Sequence, residues 1–146
     1  HNNSTQGITL WATGAGSVLS GASLRDSAVS ANANSGLYLV ANTVGAFDAK
    51  IETVTSTGNT QNGVYVNDDA AAAYTVDLGG GALGSAGNNR VYGNTLTDLR
   101  VDLDGGLLMA EDNWWGDAAG LQPARVTLEV GSTVDSTPFL LTDPTP

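Results

Sequence analysis

Apolar and polar positions alternate along short segments of the chain, and this alternation returns at a fixed spacing. An aromatic residue preceded by an aliphatic one recurs with a constant 27-residue period, at Trp11, Tyr38, Tyr65 and Tyr92. The surrounding segments align without a gap as ITLWATG, SGLYLVA, NGVYVND and NRVYGNT. An alternation of period two with one apolar face predicts a β-strand in each repeat.

A second strand follows the first at a constant offset in every repeat. Its apolar column is Ala22, Ala49, Val76 and Leu103, and polar residues alternate with it. A third, weaker strand is predicted at 54–56 and 107–109. The column after it reads Asn32, Asn59, Ala86 and Asn113, and stacked asparagines indicate a tight corner repeated from coil to coil.

Three strands in each repeat, with no helical period between them, predict an all-β fold. We expect a right-handed parallel β-helix of about four coils, each strand pairing with its counterpart one coil away. The coils are predicted at 7–116, and 117–146 is predicted to add a closing strand and tail to the same domain. Because the chain opens at His1 without a methionine, we expect a piece of a longer polypeptide.

The end of the chain carries a more specific signal. It reads NNRVYGNT at 88–95, Asn113-Trp114-Trp115-Gly116, and VDSTPFL at 134–140. This text resembles the closing segment of bacterial right-handed β-helix repeat proteins of the pectin-lyase-like superfamily. The resemblance implies a secreted or surface-anchored parent chain, in a superfamily that includes polysaccharide lyases and adhesins. Since the last coil of a solenoid exposes apolar side chains, Asn113, Trp114, Trp115 and Gly116 are predicted to form a structural cap.

Charge and composition narrow the classes of function. The formal net charge is −10, from 15 acidic residues against five basic ones. The scattered bases cannot neutralise a row of phosphates, so we expect neither nucleic-acid binding nor attachment to anionic membranes. No apolar run reaches the length of a membrane span, and there is no cysteine. Together with the resemblance, this composition favours an extracellular or cell-surface location.

The aromatic column is the first candidate for binding. If the aliphatic neighbours point inward, Trp11, Tyr38, Tyr65 and Tyr92 project outward as a stripe of four rings, one per coil. Such rings contact the apolar faces of sugars and anchor partner proteins. The alternative is that the rings stack on one another and only stabilise the ladder.

The acidic side chains are the second candidate. Asp77 and Asp104 are predicted on adjacent coils, with Asp102 beside Asp104, and close carboxylates suit acid–base catalysis or calcium. The candidate ligands of a calcium ion are Asp68, Asp69, Asp102 and Asp104. An ordinary solvated face is the competing interpretation, because Lys50 would stack against Asp77 and Arg25 against Glu52. No basic residue is expected beside Asp102 and Asp104 at the next register, in the adjacent coil. The glycine run Gly79-Gly80-Gly81 is predicted to be a turn, since no phosphate-binding lysine follows it.

These observations favour a non-catalytic surface module, an adhesin or scaffold segment that presents a flat face to a polysaccharide or a surface protein. No cofactor is expected, and calcium stays open as a ligand. An ungapped register before residue 117 leaves no room for substrate-binding loops, which argues against catalysis. His1 is the only histidine and cysteine is absent. We therefore expect neither a catalytic triad based on serine or cysteine nor a metal site built from histidines. The alternatives are a fragment of a lyase or hydrolase of acidic polysaccharides, and a subunit that stacks head to tail through its N-terminal edge.

Overall fold

The computed structural model describes residues 4–42, 46–69 and 73–144, and the prediction of a parallel β-helix is confirmed in them. Eleven strands and one short 3-10 helix at Pro123–Arg125 are present in these residues. The strands are β1 (Ile8–Thr13), β2 (Val18–Ser30), β3 (Leu37–Asn42), β4 (Ala46–Thr57), β5 (Asn62–Asp69), β6 (Tyr74–Asp77), β7 (Arg90–Tyr92), β8 (Thr97–Asp102), β9 (Leu107–Met109), β10 (Val126–Leu128) and β11 (Thr133–Asp135).

All pairings between these strands are parallel and join neighbouring coils. The first face of the solenoid is the sheet β1-β3-β5-β8-β10, and the second face is the sheet β2-β4-β6-β9-β11. The long strands β2 and β4 turn a corner at Asp26 and Thr53, which both have a positive φ. Their C-terminal halves form a third face, on which β7 pairs with β4 and Arg90 bridges to Trp114.

The predicted register holds in the middle of the chain and breaks on either side. Tyr38 pairs with Tyr65 at the expected interval of 27 residues. Ile8, in contrast, pairs with Leu37, two positions later in the chain than this interval predicts. Val64 pairs with Leu99, eight positions later in the chain than the same interval predicts. The prediction of an ungapped register up to residue 117 is therefore wrong.

The extra residues of the later coil lie in one loop between the second and third faces. Lys50 pairs with Asp77 and Thr55 with Arg90, so residues 51–54 of one coil correspond to residues 78–89 of the next. We call 78–89 the inserted loop. The inserted loop shifts the strand pairing of the residues that follow it. Asp77 pairs with Met109 rather than with Asp104, and the strand at 107–109, predicted as the third strand of its coil, belongs to the second face.

The core is a continuous apolar column inside the coils. Its largest fully buried side chains include Phe47, Leu37, Ile51 and Leu99. Phe47 and Tyr74 stack with ring centroids 4.9 Å apart. Alternation places the core residues inward in every strand, which is why a period of two in the sequence is sufficient to predict the sheets.

A ladder of buried asparagines forms one corner of the coils. Asn32 Nδ2 donates to Asn59 Oδ1 at 2.8 Å, and Asn59 Nδ2 donates to Asn94 Oδ1 at 2.9 Å. Asn94 Nδ2 then donates to the buried carboxylate of Asp98, which pairs with Arg125 at 2.8 Å. The predicted corner is present, with Asn94 rather than Ala86 as its third member because of the inserted loop. Asn113, the predicted fourth member, instead accepts a hydrogen bond from the backbone N–H of Asn89 at 2.9 Å.

The Asn-Trp-Trp-Gly signature was predicted to cap the last coil, but it lies inside the stack of coils. Trp115 is buried in the core and Asn113 donates to two backbone carbonyl oxygens at 2.9 Å. Trp114 pairs with the third face. Gly116 has a positive φ and lies against Tyr92, where a larger residue would collide. A further coil follows, because β10 pairs with β8 and β11 with β9. Where one closing strand was predicted, two are present.

Candidate functional site

Two of the four predicted aromatic residues stack on the first face. The rings of Tyr38 and Tyr65 lie 4.8 Å apart with an interplanar angle of 21°. Arg100, the register partner of Tyr65 in the next coil, places its guanidinium 4.5 Å from the centre of the Tyr65 ring. The Tyr65 ring is therefore sandwiched between an aromatic ring and a cation, a favourable arrangement for its π-electrons.

The phenol of Tyr65 belongs to a polar cluster at the surface. Its hydroxyl donates to Asp102 at 2.7 Å and accepts from Asn67 Nδ2 at 3.0 Å. Arg100 binds the same carboxylate through Nε at 2.9 Å and through Nη2 at 2.6 Å. Burial, followed by the hydrogen bond to Asp102, raises the pKa of Tyr65 to about 12. The hydrogen bond to Asp102 also raises the pKa of Arg100, so Tyr65 and Arg100 both hold their protons at neutral pH.

Trp11 occupies the neighbouring outward column of the same face. The first coil is two residues longer than expected, so Trp11 pairs with Val40, and Thr9 takes the place opposite Tyr38. The column continues through Val40, which is buried, to Asn67 and Asp102. The Trp11 side chain is 62% exposed, which makes it a large apolar surface on this face. We call the following residues the aromatic–polar patch: Trp11, Tyr38, Tyr65, Asn67, Arg100 and Asp102.

Tyr92 is not part of this patch, and the predicted stripe of four rings is wrong. It lies on the third face, where it pairs with Thr57 and its ring centre is 5.8 Å from the Arg90 guanidinium carbon. The tyrosine rings that do stack cover each other's faces, since Tyr65 lies between Tyr38 and Arg100. A sugar can therefore meet their edges and hydroxyls, whereas the exposed indole of Trp11 offers a ring for stacking.

Asp77, a predicted acidic candidate, is fully buried and supports the inserted loop. Its Oδ1 accepts from the backbone N–H groups of Gly79 and Gly81 at 2.9 and 3.0 Å. Its Oδ2 accepts from those of Leu83 and Ser85 at 3.0 and 3.1 Å. Four backbone donors bind the carboxylate and fix the path of the loop. The acid is enclosed by its own chain and has no open face towards a substrate.

The other acidic candidates are not brought together. Asp102 lies in the aromatic–polar patch and Asp104 is exposed beyond the end of β8. Asp68 is on β5, and the side chain of Asp69 lies outside the described residues. Within the described residues, no group of three or more acidic, histidine or cysteine side chains is placed to bind a metal ion.

The predicted ion pairs on the second face have the expected register but different partners. Lys50 lies opposite Asp77 and Arg25 opposite Glu52. Lys50 Nζ instead contacts Glu52 at 3.3 Å, because the Asp77 carboxylate points into the inserted loop.

Arg100 is the site residue that the sequence analysis missed, because it contacts Asp102 from two positions earlier on the same strand, whereas a base was sought in the adjacent coil. Its place opposite Tyr65 depends on the eight extra residues of the inserted loop. The signal available was the glycine run Gly79-Gly80-Gly81 with Gly84 and Gly87, which is too long for the ordinary turn that was predicted.

The parallel ladder and its stacked corners define the chain as a β-solenoid of the repeat-protein class. The family model described as "Protein of unknown function (DUF1565)" matches residues 2–120, and the chain belongs to that family. No curated protein and no solved structure matches it. In the described residues, no helix is long and apolar enough to cross a membrane.

Proposed function

We propose that the chain is a non-catalytic β-helix module that binds glycan at the aromatic–polar patch, outside the cell or on its surface. The observation that carries the proposal is Trp11, whose indole is 62% exposed on a sheet face that also presents an amide, a carboxylate and a guanidinium. An exposed ring on the same sheet face as hydrogen-bonding groups two and three coils away suits a sugar chain, whose units have apolar ring faces and polar hydroxyls.

The spacing of the patch supports an extended ligand. Trp11, Val40, Asn67 and Asp102 follow one another in four successive coils. Neighbouring strands of a sheet are about 4.8 Å apart, so the row runs along the solenoid axis in steps comparable to one sugar ring. We expect a sugar chain to lie along this axis, stacked on Trp11 and hydrogen-bonded near Asn67 and Asp102.

The proposal of a non-catalytic role rests on how the acidic side chains are used. Asp77 is occupied by four backbone donors, and Asp102 is bonded to Tyr65 and Arg100. The extracellular location is proposed from the acidic composition, with a net charge of −10, and from the resemblance of the C-terminal segment to secreted and surface-anchored β-helix proteins.

The test is depletion of the purified chain by a panel of insoluble neutral and acidic polysaccharides, with and without calcium. Trp11→Ala should weaken binding by about tenfold, since truncation of an aromatic anchor costs more than about 1 kcal/mol. Leu96→Ala is the matched control, because Leu96 is 58% exposed and lies outside the patch.

Three outcomes decide between the functions considered. Equal loss of binding in the two variants would contradict a site at Trp11. New reducing ends or unsaturated products in the supernatant would instead support the lyase or hydrolase. Absence of binding, with sedimentation that depends on concentration, would support the self-assembling subunit.

A further inference from the structure

An open groove of about 650 Å³ runs along the third face, away from the aromatic–polar patch. Its lining comes from three successive coils and from the C-terminal tail: Asp26, Ser27, Ala28, Thr53, Thr55, Asn88, Arg90 and Pro144. We call it the third-face groove. Its volume is in the range of sites that hold small ligands or short peptide segments.

The floor of the groove consists of side chains that face outward from a complete backbone ladder. Ala28, Thr55 and Arg90 are register partners in three neighbouring coils. The strand N–H and C=O groups bond along the solenoid axis to the adjacent coils, so a ligand in the groove must be recognised by side chains. Ala28 and Thr55 have small side chains, which leaves the groove open over these two coils. The groove ends at the longer side chain of Arg90.

The tail of the chain already places a carboxylate on Arg90. Arg90 Nε and Nη2 bind the two carboxylate oxygens of Asp143 at 2.5 and 2.7 Å. The next residue, Pro144, lines the groove. This two-point geometry is the way guanidinium groups select planar carboxylates.

The ion pair between the tail and Arg90 is partly open to solvent. The side chain of Asp143 is 37% exposed and that of Arg90 is 20% exposed. Because solvent reaches both groups, a second carboxylate can approach and compete for the same guanidinium.

We propose that the third-face groove binds an acidic peptide segment of a partner protein, with its carboxylate on Arg90 in place of Asp143. The tail that borders the groove already binds Arg90 through a peptide carboxylate that is followed by proline. A polyanion is disfavoured, because the chain carries a net charge of −10 and Asp26 places a carboxylate elsewhere in the groove. A single acidic side chain on an otherwise neutral peptide meets Arg90 without this repulsion.

The experiment uses the full chain carrying Asp143→Asn, which removes the charge of the tail and keeps its shape. The probe is a fluorescent, end-blocked peptide with the sequence of residues 141–146, LTDPTP, and the matched control peptide is LTNPTP. Anisotropy should show that the variant binds LTDPTP and that the wild-type chain binds it about tenfold more weakly, because a tethered tail competes at millimolar effective concentration. LTNPTP and the double variant with Arg90→Gln should show no binding.

A second variant separates the groove from the guanidinium alone. Thr55→Trp fills the floor one coil away from Arg90 and leaves the arginine in place. Placed in the Asp143→Asn background, it should abolish binding while circular dichroism stays native.

Several results would overturn the proposal. They are equal binding of the two peptides, binding that survives Arg90→Gln or Thr55→Trp, and absence of binding to a natively folded Asp143→Asn chain. Tighter binding of an alginate hexamer than of LTDPTP would assign the groove to acidic sugars instead. Trp11→Ala should leave peptide binding unchanged, so failure here is distinguishable from failure of the proposed glycan site.

Discussion

The hydroxyl of Tyr65 donates a 2.7 Å hydrogen bond to the carboxylate of Asp102, and this bond joins two neighbouring coils. Burial and this bond raise the pKa of Tyr65 to about 12. An unfolded tyrosine loses its proton near pH 10, whereas the folded Tyr65 keeps it until about 12. The free energy of unfolding should therefore fall as the pH rises from 10 towards 12. Below pH 10 Tyr65 is protonated in both the folded and the unfolded chain, so it should add no pH dependence there.

Urea denaturation of wild-type and Tyr65→Phe chains at pH 8, 10 and 11 measures this contribution. The variant should lose stability less steeply above pH 10 than the wild type. Burial also raises the pKa of Tyr74, but that residue is present in both chains, so the difference isolates Tyr65. Identical slopes in the two chains would contradict the assignment.

Asp77 should be the acidic residue on which the fold depends most strongly. Asp77→Ala leaves four backbone donors of the inserted loop without an acceptor, and should lower the free energy of unfolding by about 2 to 4 kcal/mol. Asp104→Asn, on an exposed aspartate, is the control and should change it by less than about 0.5 kcal/mol. Denaturation at pH 7 compares the two. A loss in Asp77→Ala no larger than that of the control would show that the loop is held by other contacts.

Asn59 is the central member of the asparagine ladder, with bonds to Asn32 below and Asn94 above. Asn59→Ala should lower the free energy of unfolding by about 2 to 4 kcal/mol, because buried amide groups in two other coils lose their partner. Thr60→Ala, at the exposed neighbouring residue, is the control. Equal melting temperatures for the two variants would argue against a structural role of the ladder.

Ala31 has a φ of 54°, although the equivalent corner position is glycine in the next two coils, at Gly58 and Gly93. Residues with a side chain lose about 1 kcal/mol or more in this left-handed conformation, and glycine does not. Ala31→Gly should therefore raise the free energy of unfolding by about 0.5 kcal/mol after the entropy cost of glycine is subtracted. Ala33→Gly, at an exposed position without a positive φ, should lower it. Thermal denaturation of the two variants measures the difference, and a loss in both would refute the argument.

The sequence is a good guide to the strands and a poor guide to which strands meet. It places Tyr38 and Tyr65 correctly in one column, because the coil between them has the plain repeat length. It places Trp11 two residues out of register, since the first coil is longer. It assigns Tyr92 to the wrong face, because Arg90–Tyr92 is a strand with the expected alternation but belongs to the third face.

The reason is that every strand of a β-helix has the same alternation of apolar and polar residues. A shift of eight positions therefore moves a segment from one face to another without disturbing its pattern. The inserted loop has no apolar period of its own, and the aspartate that organises it looks in the sequence like any residue of a solvated strand face.

The sequence by itself determined the class of fold, the inward side chains and the repeated corners, because these depend on local alternation and turn residues. Only the tertiary structure decided that Arg100 meets Tyr65, that Asp77 is enclosed, and that Asp143 reaches Arg90. The contacts between different coils depend on the length of every coil between the two residues, and no local pattern records that length.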